Sequence, residues 1–380
     1  MKTIVITMCR GKLTAAVFED GLCRMLVPEP EEETLVGNIY TGRVTHILHN
    51  IDAAFIEFLP GKNGYYSLKD HPLLRLREGD EIAVQVSRDA VKTKEPVLTS
   101  NLSFAGRYTV VTTGNRRVSV SSKIRSADER NRLKELLSGC AGEDFGLIAR
   151  TGAENVPSED ILKEVSALRE KAEDILARAG SRKPHTLLYS AEPGYVRIIR
   201  DHLRDTERIV TDLPECRDMV RQFLMSEAPE CLSLLTFYSD DSCSLDRVYR
   251  IDRTVGEALD RKVWLKSGGY LVIEPTEALT VIDVNSGKYS DRKSPDDTVL
   301  KINLEAARES ARQLTLRNIS GMILIDFINM RRQEDTVRLL EELQAELRKD
   351  PVKTVLVDVT ALGLAEITRK KIRRPISEIF

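Results

Sequence analysis

Two apolar runs in the last third of the chain each carry an aspartate where a strand interior ordinarily takes Val, Ile or Leu. Residues 277–288 read E-A-L-T-V-I-D-V-N-S-G-K and residues 321–330 read G-M-I-L-I-D-F-I-N-M, which places Asp283 and Asp326 inside the runs. An aspartate withdrawn from water is costly unless it is paired, hydrogen-bonded or bound to a cation. Two such acids close in the fold point to a cation. Taken singly, either could instead cap a helix or pair with an arginine.

The pattern around the acids brings them together. Strands are expected at 271–273 and 279–285, then a helix with Leu300, Leu304, Ala307, Ala311 and Leu314 on one stripe. A strand at 322–329, a helix carrying Leu340, Leu343 and Leu347, a strand at 354–359 and a final helical segment complete the order. Strand and helix in alternation imply right-handed crossovers and neighbouring parallel strands, with both acids toward the C-terminal edge where ligands of open α/β sheets collect. Side chains alternate along a strand, so Asp283 and Asn285 share a face. Two carboxylates with water make a hard-oxygen site suited to Mg²⁺ or Mn²⁺ and unsuited to zinc. Such a site fits phosphodiester cleavage.

Upstream, the chain of 380 residues is long enough for two or three domains. A net charge of -2 means that a nucleic-acid ligand would be held by local basic patches and not by the average field. Six scattered cysteines without a C-x-x-C pair read as reduced thiols, and no stretch approaches the length of a membrane span, so a cytoplasmic location is expected.

The N-terminal runs T-I-V-I-T and T-A-A-V-F suggest a hairpin turning at Arg10-Gly11-Lys12, and the acidic cluster at 29–33 marks a boundary. Between 36 and 88, short strands with glycine at each corner suggest a five-stranded barrel. Gly37, Tyr40, Gly42, Val44, Ala54-Phe55 and Asn63-Gly64-Tyr65 resemble the S1 RNA-binding module of the OB type. On such a barrel, exposed aromatics stack on bases. Phe55 and Tyr65 are the candidates, with Lys94 for phosphate; taken alone, Phe55, inside an apolar run, reads first as core, and Tyr65 reads equally as core or contact. Farther on, 106–120 reads as a strand pair around Thr113-Gly114-Asn115, and a helix of about five turns is expected from Ser158 to Gly180. Between them, G-L-I-A-R-T-G ends a strand in Arg150-Thr151, a guanidinium and a hydroxyl able to grip a terminal phosphate, or else a solvated turn.

The stretches E-A-L-T-V-I-D-V-N-S-G, I-N-L-E-A-A-R-E-S-A-R-Q-L and I-L-I-D-F-I-N-M resemble the catalytic core of the ribonuclease E/G family, bacterial endoribonucleases that cut single-stranded RNA. The resemblance covers nearly the whole chain. It implies an α+β multi-subdomain fold: a discontinuous ribonuclease-H-like subdomain at 1–35 and 191–259, an S1 barrel at 36–100, a 5′-sensor at 101–190 and a DNase-I-like α/β catalytic subdomain at 260–380. By residue, it implies Asp283 and Asp326 as Mg²⁺ ligands, Asn285 as the group that orients them or the scissile phosphate, Arg150 and Thr151 as the grip on a 5′-monophosphate, and Phe55, Tyr65 and Lys94 as contacts to the strand. The implied activity leaves a 5′-phosphate and a 3′-hydroxyl. Asn329 stands where the family usually has Asp, and Ala361 where an Arg is common. The family's C-x-x-C zinc link and small domain have no counterpart in these residues, which implies no zinc and a monomer or a dimer not built on a zinc link. The basic run at 369–374 would lie against RNA or be a solvated tail. The competing reading is an RNA-binding protein of the same fold that cuts little or not at all.

Overall fold

The computed structural model describes all residues except 30–33, 72–74, 91–94, 141, 143, 241 and 288–294. Lys94 and most of the acidic cluster at 29–33 lie outside the described residues. The chain forms two compact units, Met1–Pro30 with Asp205–Phe380, and Glu31–Arg204.

In the second unit, the strands Ile39–Leu48, Ala53–Leu59, Lys62–Ser67, Val97–Thr99 and Glu81–Arg88 close into a five-stranded barrel, because the last pairs back with the first. Val44, Ala54, Ile56, Phe58, Tyr66, Val84 and Leu98 fill it. The interior is tight enough that glycine is required at two strand positions. A Cβ on Gly64 would sit 2.5 Å from Leu98, and one on Gly42 the same distance from Ile56.

The rest of this unit is a four-stranded sheet in the order Val118–Val120, Phe145–Ala149, Thr109–Thr113, Ser103–Ala105, packed by the helices Ala127–Ser138 and Ser158–Ala179. The strand pair expected around Thr113-Gly114-Asn115 is not a hairpin. Phe145–Ala149 lies between the two strands, antiparallel to one and parallel to the other. Gly146 permits this, since a Cβ there would overlap the Asn115 carbonyl oxygen at 1.8 Å. The longer helix buries Ile161, Val165, Ala172 and Ile175, spaced three, four or seven apart along one stripe.

The first unit holds two sheets. One runs Leu235–Phe237, Thr206–Thr211, Lys2–Cys9, Lys12–Glu19, Leu22–Pro28. Its three N-terminal strands turn at Arg10-Gly11 and Asp20-Gly21, all four residues having positive φ as two-residue hairpin turns require. Thr206–Thr211 joins Lys2–Cys9 in parallel.

The other sheet has six strands in the order Lys262–Trp264, Tyr270–Pro275, Leu279–Asn285, Gly321–Asp326, Ala365–Arg369, Thr354–Val359. The helix Pro295–Leu316 links the third and fourth of these and Gln333–Leu347 follows the fourth, both packed on one face. Leu339, Leu343 and Leu347 recur every fourth residue and are buried, each contributing roughly 1.5–3 kcal/mol. Only Leu279–Asn285 and Gly321–Asp326 are parallel neighbours. The final segment is not an α-helix, and only a short 3₁₀ turn at Ile376–Glu378 is helical. Ala365–Arg369 is a strand, inserted antiparallel between Gly321–Asp326 and Thr354–Val359 after a tight turn at Gly363, whose φ is +85°. Its alternation A-E-I-T-R buries Ala365, Ile367 and Arg369, a period of two that no helix would use.

Arg369 therefore does not belong to a solvated basic tail. It is 3% exposed and bonds Asp350 Oδ2 at 2.7 Å, Asn318 Oδ1 at 2.9 Å and the Ile319 carbonyl at 3.0 Å. Beyond it, Asn318 Nδ2 donates to the carbonyls of Arg373 and Arg374, and Ile376 enters the core, so the run is held by its backbone while Lys370, Lys371 and Arg374 point outward. Among the described residues, no helix is long and apolar enough to cross a membrane.

Candidate active site

The six-stranded sheet turns one face to its helices and leaves the other open. Thr280, Ile282 and Val284 face the helices, as do Ile323, Ile325 and Phe327. The opposite parity puts Asp283 and Asp326 on the open face, where both are exposed. The expectation of two acids withdrawn from water is thus corrected: period two along each strand moves them out of the core, and burial is no argument for a cation. Register supplies a stronger one. Asp283 and Asp326 are paired residues of two parallel neighbouring strands, so two carboxylates project side by side from positions about 5 Å apart. Like charges so placed repel, and a divalent cation between them would relieve the repulsion.

Asn285 lies on the same face and its Nδ2 donates to Asp283 Oδ2 at 2.7 Å, fixing the carboxylate's rotation. The loops behind it pack backbone to backbone. A Cβ on Gly269 would meet the Asn285 carbonyl at 2.8 Å, and one on Gly287, at φ +62°, would meet the Gly268 carbonyl at 2.3 Å. Glu305 holds the first of these loops, accepting from the amides of Lys266 at 2.6 Å and Ser267 at 3.0 Å.

A residue that the sequence reading passed over sits beneath Asp326. Asn303 is fully buried in its helix, donates Nδ2 to the Ile328 carbonyl at 2.7 Å and accepts from the Ile328 amide at 3.1 Å. It anchors the chain two residues after Asp326 and so sets where that strand ends. An amide inside the apolar stripe of Ile302, Ala306 and Ala307 was the available signal. Asn329 is exposed, beyond the strand that carries Asp326, and Ala361 lies in the exposed turn before the inserted strand.

In the other unit, Phe55 and Tyr65 face each other across two antiparallel strands of the barrel, ring centroids 6.4 Å apart and nearly perpendicular. Both are half-buried on the outer face, while their neighbours Ala54, Ile56 and Tyr66 fill the interior. The core alternative for Phe55 is thereby removed. His46 is register-paired with Phe55 and extends the row.

Arg150 and Thr151 end the strand Phe145–Ala149 and begin a short helical turn. The guanidinium is not free: it donates to the Gly106 carbonyl and to Asp201 Oδ1, each at 2.5 Å. The Thr151 hydroxyl lies 3.1 Å from that of Ser121. Gly152 is pressed against the Arg107 carbonyl, which a Cβ would approach to 2.8 Å. Glu164, also overlooked in the sequence, organises this corner by accepting from the amides of Arg107, Tyr108 and Thr109 and from the Thr109 hydroxyl, at 2.7 to 2.9 Å. Four donors aimed at one carboxylate fix the loop against which Arg150 rests.

Comparison with known proteins decides the kinship. The model of the ribonuclease E/G family matches residues 103–372. The chain belongs to the ribonuclease E/G family. It is 38% identical over 384 residues to Ribonuclease E of a Nostoc species, covering 96% of this chain and 55% of that protein. Ribonuclease E of a Synechocystis species is 37% identical, with 100% of this chain and 58% of the relative covered. Ribonuclease G of Salmonella typhimurium is 32% identical, with coverages of 99% and 81%. The chain thus spans a little over half the length of these ribonuclease E relatives and about four fifths of the ribonuclease G relative. Family membership and the in-register acids come from independent observations, one of the whole sequence and the other of two strands.

Proposed function

We propose that the chain is a Mg²⁺-dependent endoribonuclease of single-stranded RNA, stimulated by a 5′-monophosphate and acting in RNA processing or decay in the cytoplasm. The observation that carries this reading is the in-register pair Asp283 and Asp326, with Asn285 bonded to the first, on the open face of a sheet in a ribonuclease E/G chain. The finer architecture follows the same reading, with the sheet that includes Met1–Pro30 as ribonuclease-H-like and the six-stranded sheet as DNase-I-like.

The donor set fits the ion. Asp283 and Asp326 offer carboxylate oxygens, the donors of a hard cation, whereas zinc favours thiolate and imidazole. Mg²⁺ keeps most of its waters and takes one or two carboxylates plus substrate phosphate, which is what Asp283 and Asp326 can provide. A cation held there would supply positive charge to the scissile phosphate and acidity to water. Asp283 and Asp326 would be its oxygen donors, and Asn285 holds one oxygen of Asp283 so that the other is left for a cation. In the cleavage, a water oxygen bonds to phosphorus as the bond to the 3′ oxygen breaks. The water loses a proton, the 3′ oxygen gains one, and the ends are a 5′-phosphate and a 3′-hydroxyl.

Phe55 and Tyr65 offer two ring surfaces to bases of the bound strand, with Lys94 a candidate for its phosphates. Arg150 and Thr151 are the proposed grip on the 5′-phosphate, and Asp201 holds the guanidinium in its place until a doubly charged phosphate displaces it. The test is cleavage of a 5′-monophosphorylated single-stranded oligonucleotide with Mg²⁺. Asp283→Asn and Asp326→Asn should each lower the rate by at least about a hundredfold, the scale of a lost electrostatic group in an active site. Cutting that survives both substitutions sinks the assignment.

A further inference from the structure

The open face of the six-stranded sheet carries a second constellation beside the acids. Trp264, the one tryptophan of the chain, lies on the edge strand Lys262–Trp264 and is 65% exposed. Its ring stands 5.3 Å from that of Tyr270 at an angle of 59°. The Lys262 ammonium sits 4.0 Å from the centroid of Trp264 and 3.5 Å from that of Tyr270. Glu274, on the neighbouring strand, is engaged by Arg261.

Strand register ties this cluster to the acids. One row across the sheet runs Trp264, Tyr270, Asn285, and the next runs Lys262, Val272, Asp283, Asp326. Tyr270 is therefore one strand, about 5 Å, from the asparagine that holds Asp283. An edge strand often carries a lysine merely to discourage pairing with another chain. Here the lysine instead lies over two rings, and the largest apolar side chain of the protein is left in water on the face that carries the two carboxylates, two strands from Asp283. An indole face and a phenol ring in the row of Asn285, next to the row that carries the acid pair, suit a nucleobase, which stacks whatever its identity, and the ammonium suits the phosphate attached to it.

We propose that Lys262, Trp264 and Tyr270 form a stacking platform for the base of a nucleotide adjoining the scissile phosphate, and so fix which phosphate reaches Asp283 and Asp326. The proposal rests on the nuclease reading of the acid pair. It makes the six-stranded sheet a contact surface for RNA in its own right, independent of the barrel.

Because the chain has a single tryptophan, the platform reports on itself. In an Asp326→Asn background, which arrests cutting, Trp264 emission is followed while a short 5′-monophosphorylated single-stranded RNA is titrated, with binding measured in parallel by fluorescence anisotropy. Saturable quenching is expected. A series of RNAs with one abasic nucleotide at successive positions should show a single position whose loss removes the quenching and weakens binding roughly tenfold. Trp264→Ala should weaken binding by the same factor and Trp264→Phe should restore most of it; Trp264 is exposed, so neither change disturbs the core. Binding with unchanged emission, or an alanine variant that binds like its parent, overturns the proposal. Emission that follows protein concentration and not RNA assigns the face to a second copy of the chain and overturns it too. If quenching is seen but the unsubstituted protein never cuts, the platform stands and the nuclease reading falls.

Discussion

Neutralising Asp326 should make the metal-free protein more stable while it removes the activity. Asp283 and Asp326 project from paired positions of neighbouring parallel strands, about 5 Å apart. Two unit charges at that distance repel by about 0.8 kcal/mol at the dielectric of water and about 3 kcal/mol at an effective dielectric of 20. Both acids are exposed, and Asn285 already bonds one of them, so the low end applies and about 1 kcal/mol is expected. In the presence of EDTA, Asp326→Asn should then raise the melting temperature of the unit that contains it, a body of some two hundred residues, by about 2–4 °C. Magnesium reverses the order. At ten times its dissociation constant it stabilises the unsubstituted protein by about 1.4 kcal/mol and should do little for the variant. The assay is calorimetry of both proteins in EDTA and in Mg²⁺, and the expected signature is two curves that exchange places. If Asp326→Asn melts lower in EDTA, or if Mg²⁺ lifts both proteins equally, the acids are not a charge-strained cation site.

Three further outcomes follow from other parts of the molecule. Arg150→Ala should abolish the advantage of 5′-monophosphate over 5′-hydroxyl RNA and spare cutting at internal sites, whereas Asp201→Asn, which frees the guanidinium, should enlarge that advantage; equal rate losses on both substrates would dismiss the sensor role. Asp350→Ala leaves the Arg369 guanidinium buried without its carboxylate and should cost about 3–5 kcal/mol in urea unfolding, far more than removal of an exposed pair such as Arg253 with Glu257. His71 stacks on Tyr66 at 4.7 Å and contacts the hydroxyls of Thr99 and Ser100; burial lowers its pKa from 6.5, so the unfolded chain takes up a proton there that the folded barrel resists. Stability of the barrel should accordingly fall as the pH drops through about 6.5, and His71→Gln should flatten that part of a melting-temperature profile.

Much of the site could be read from residue spacing. Asp283 and Asn285 are two apart in a strand, and that alone puts them on one face; Phe55, by contrast, lies in an apolar run that reads as core, and the barrel with Ala54 and Ile56 inside it is what turns the ring outward. Spacing also misled. Apolar letters on both sides of Asp283 and Asp326 suggested burial, yet Val281 and Leu324 belong to the open face and are only half-buried, because this sheet has helices on one side. Asn303 and Glu164 were passed over since each serves backbone groups far along the chain, at Ile328 and at 107–109, and a side chain's distant partner leaves no trace in the local pattern.

Periodicity is a local property, and the sequence by itself determined what periodicity controls: most of the strands and helices before the last segment, the glycine-cornered barrel, the hairpin at Arg10-Gly11, and the acids and amide as a chemical set. Register and strand order are bargains between distant segments, settled by how whole faces pack. Only the tertiary structure decided that Asp283 stands beside Asp326, that Ala365–Arg369 enters the sheet in place of a last helix, that Arg150 is held by Asp201, and that Lys262, Trp264 and Tyr270 share a face with the acids. A shift of one residue in the pairing of two strands would leave every local pattern intact and turn one aspartate to the opposite side of the sheet.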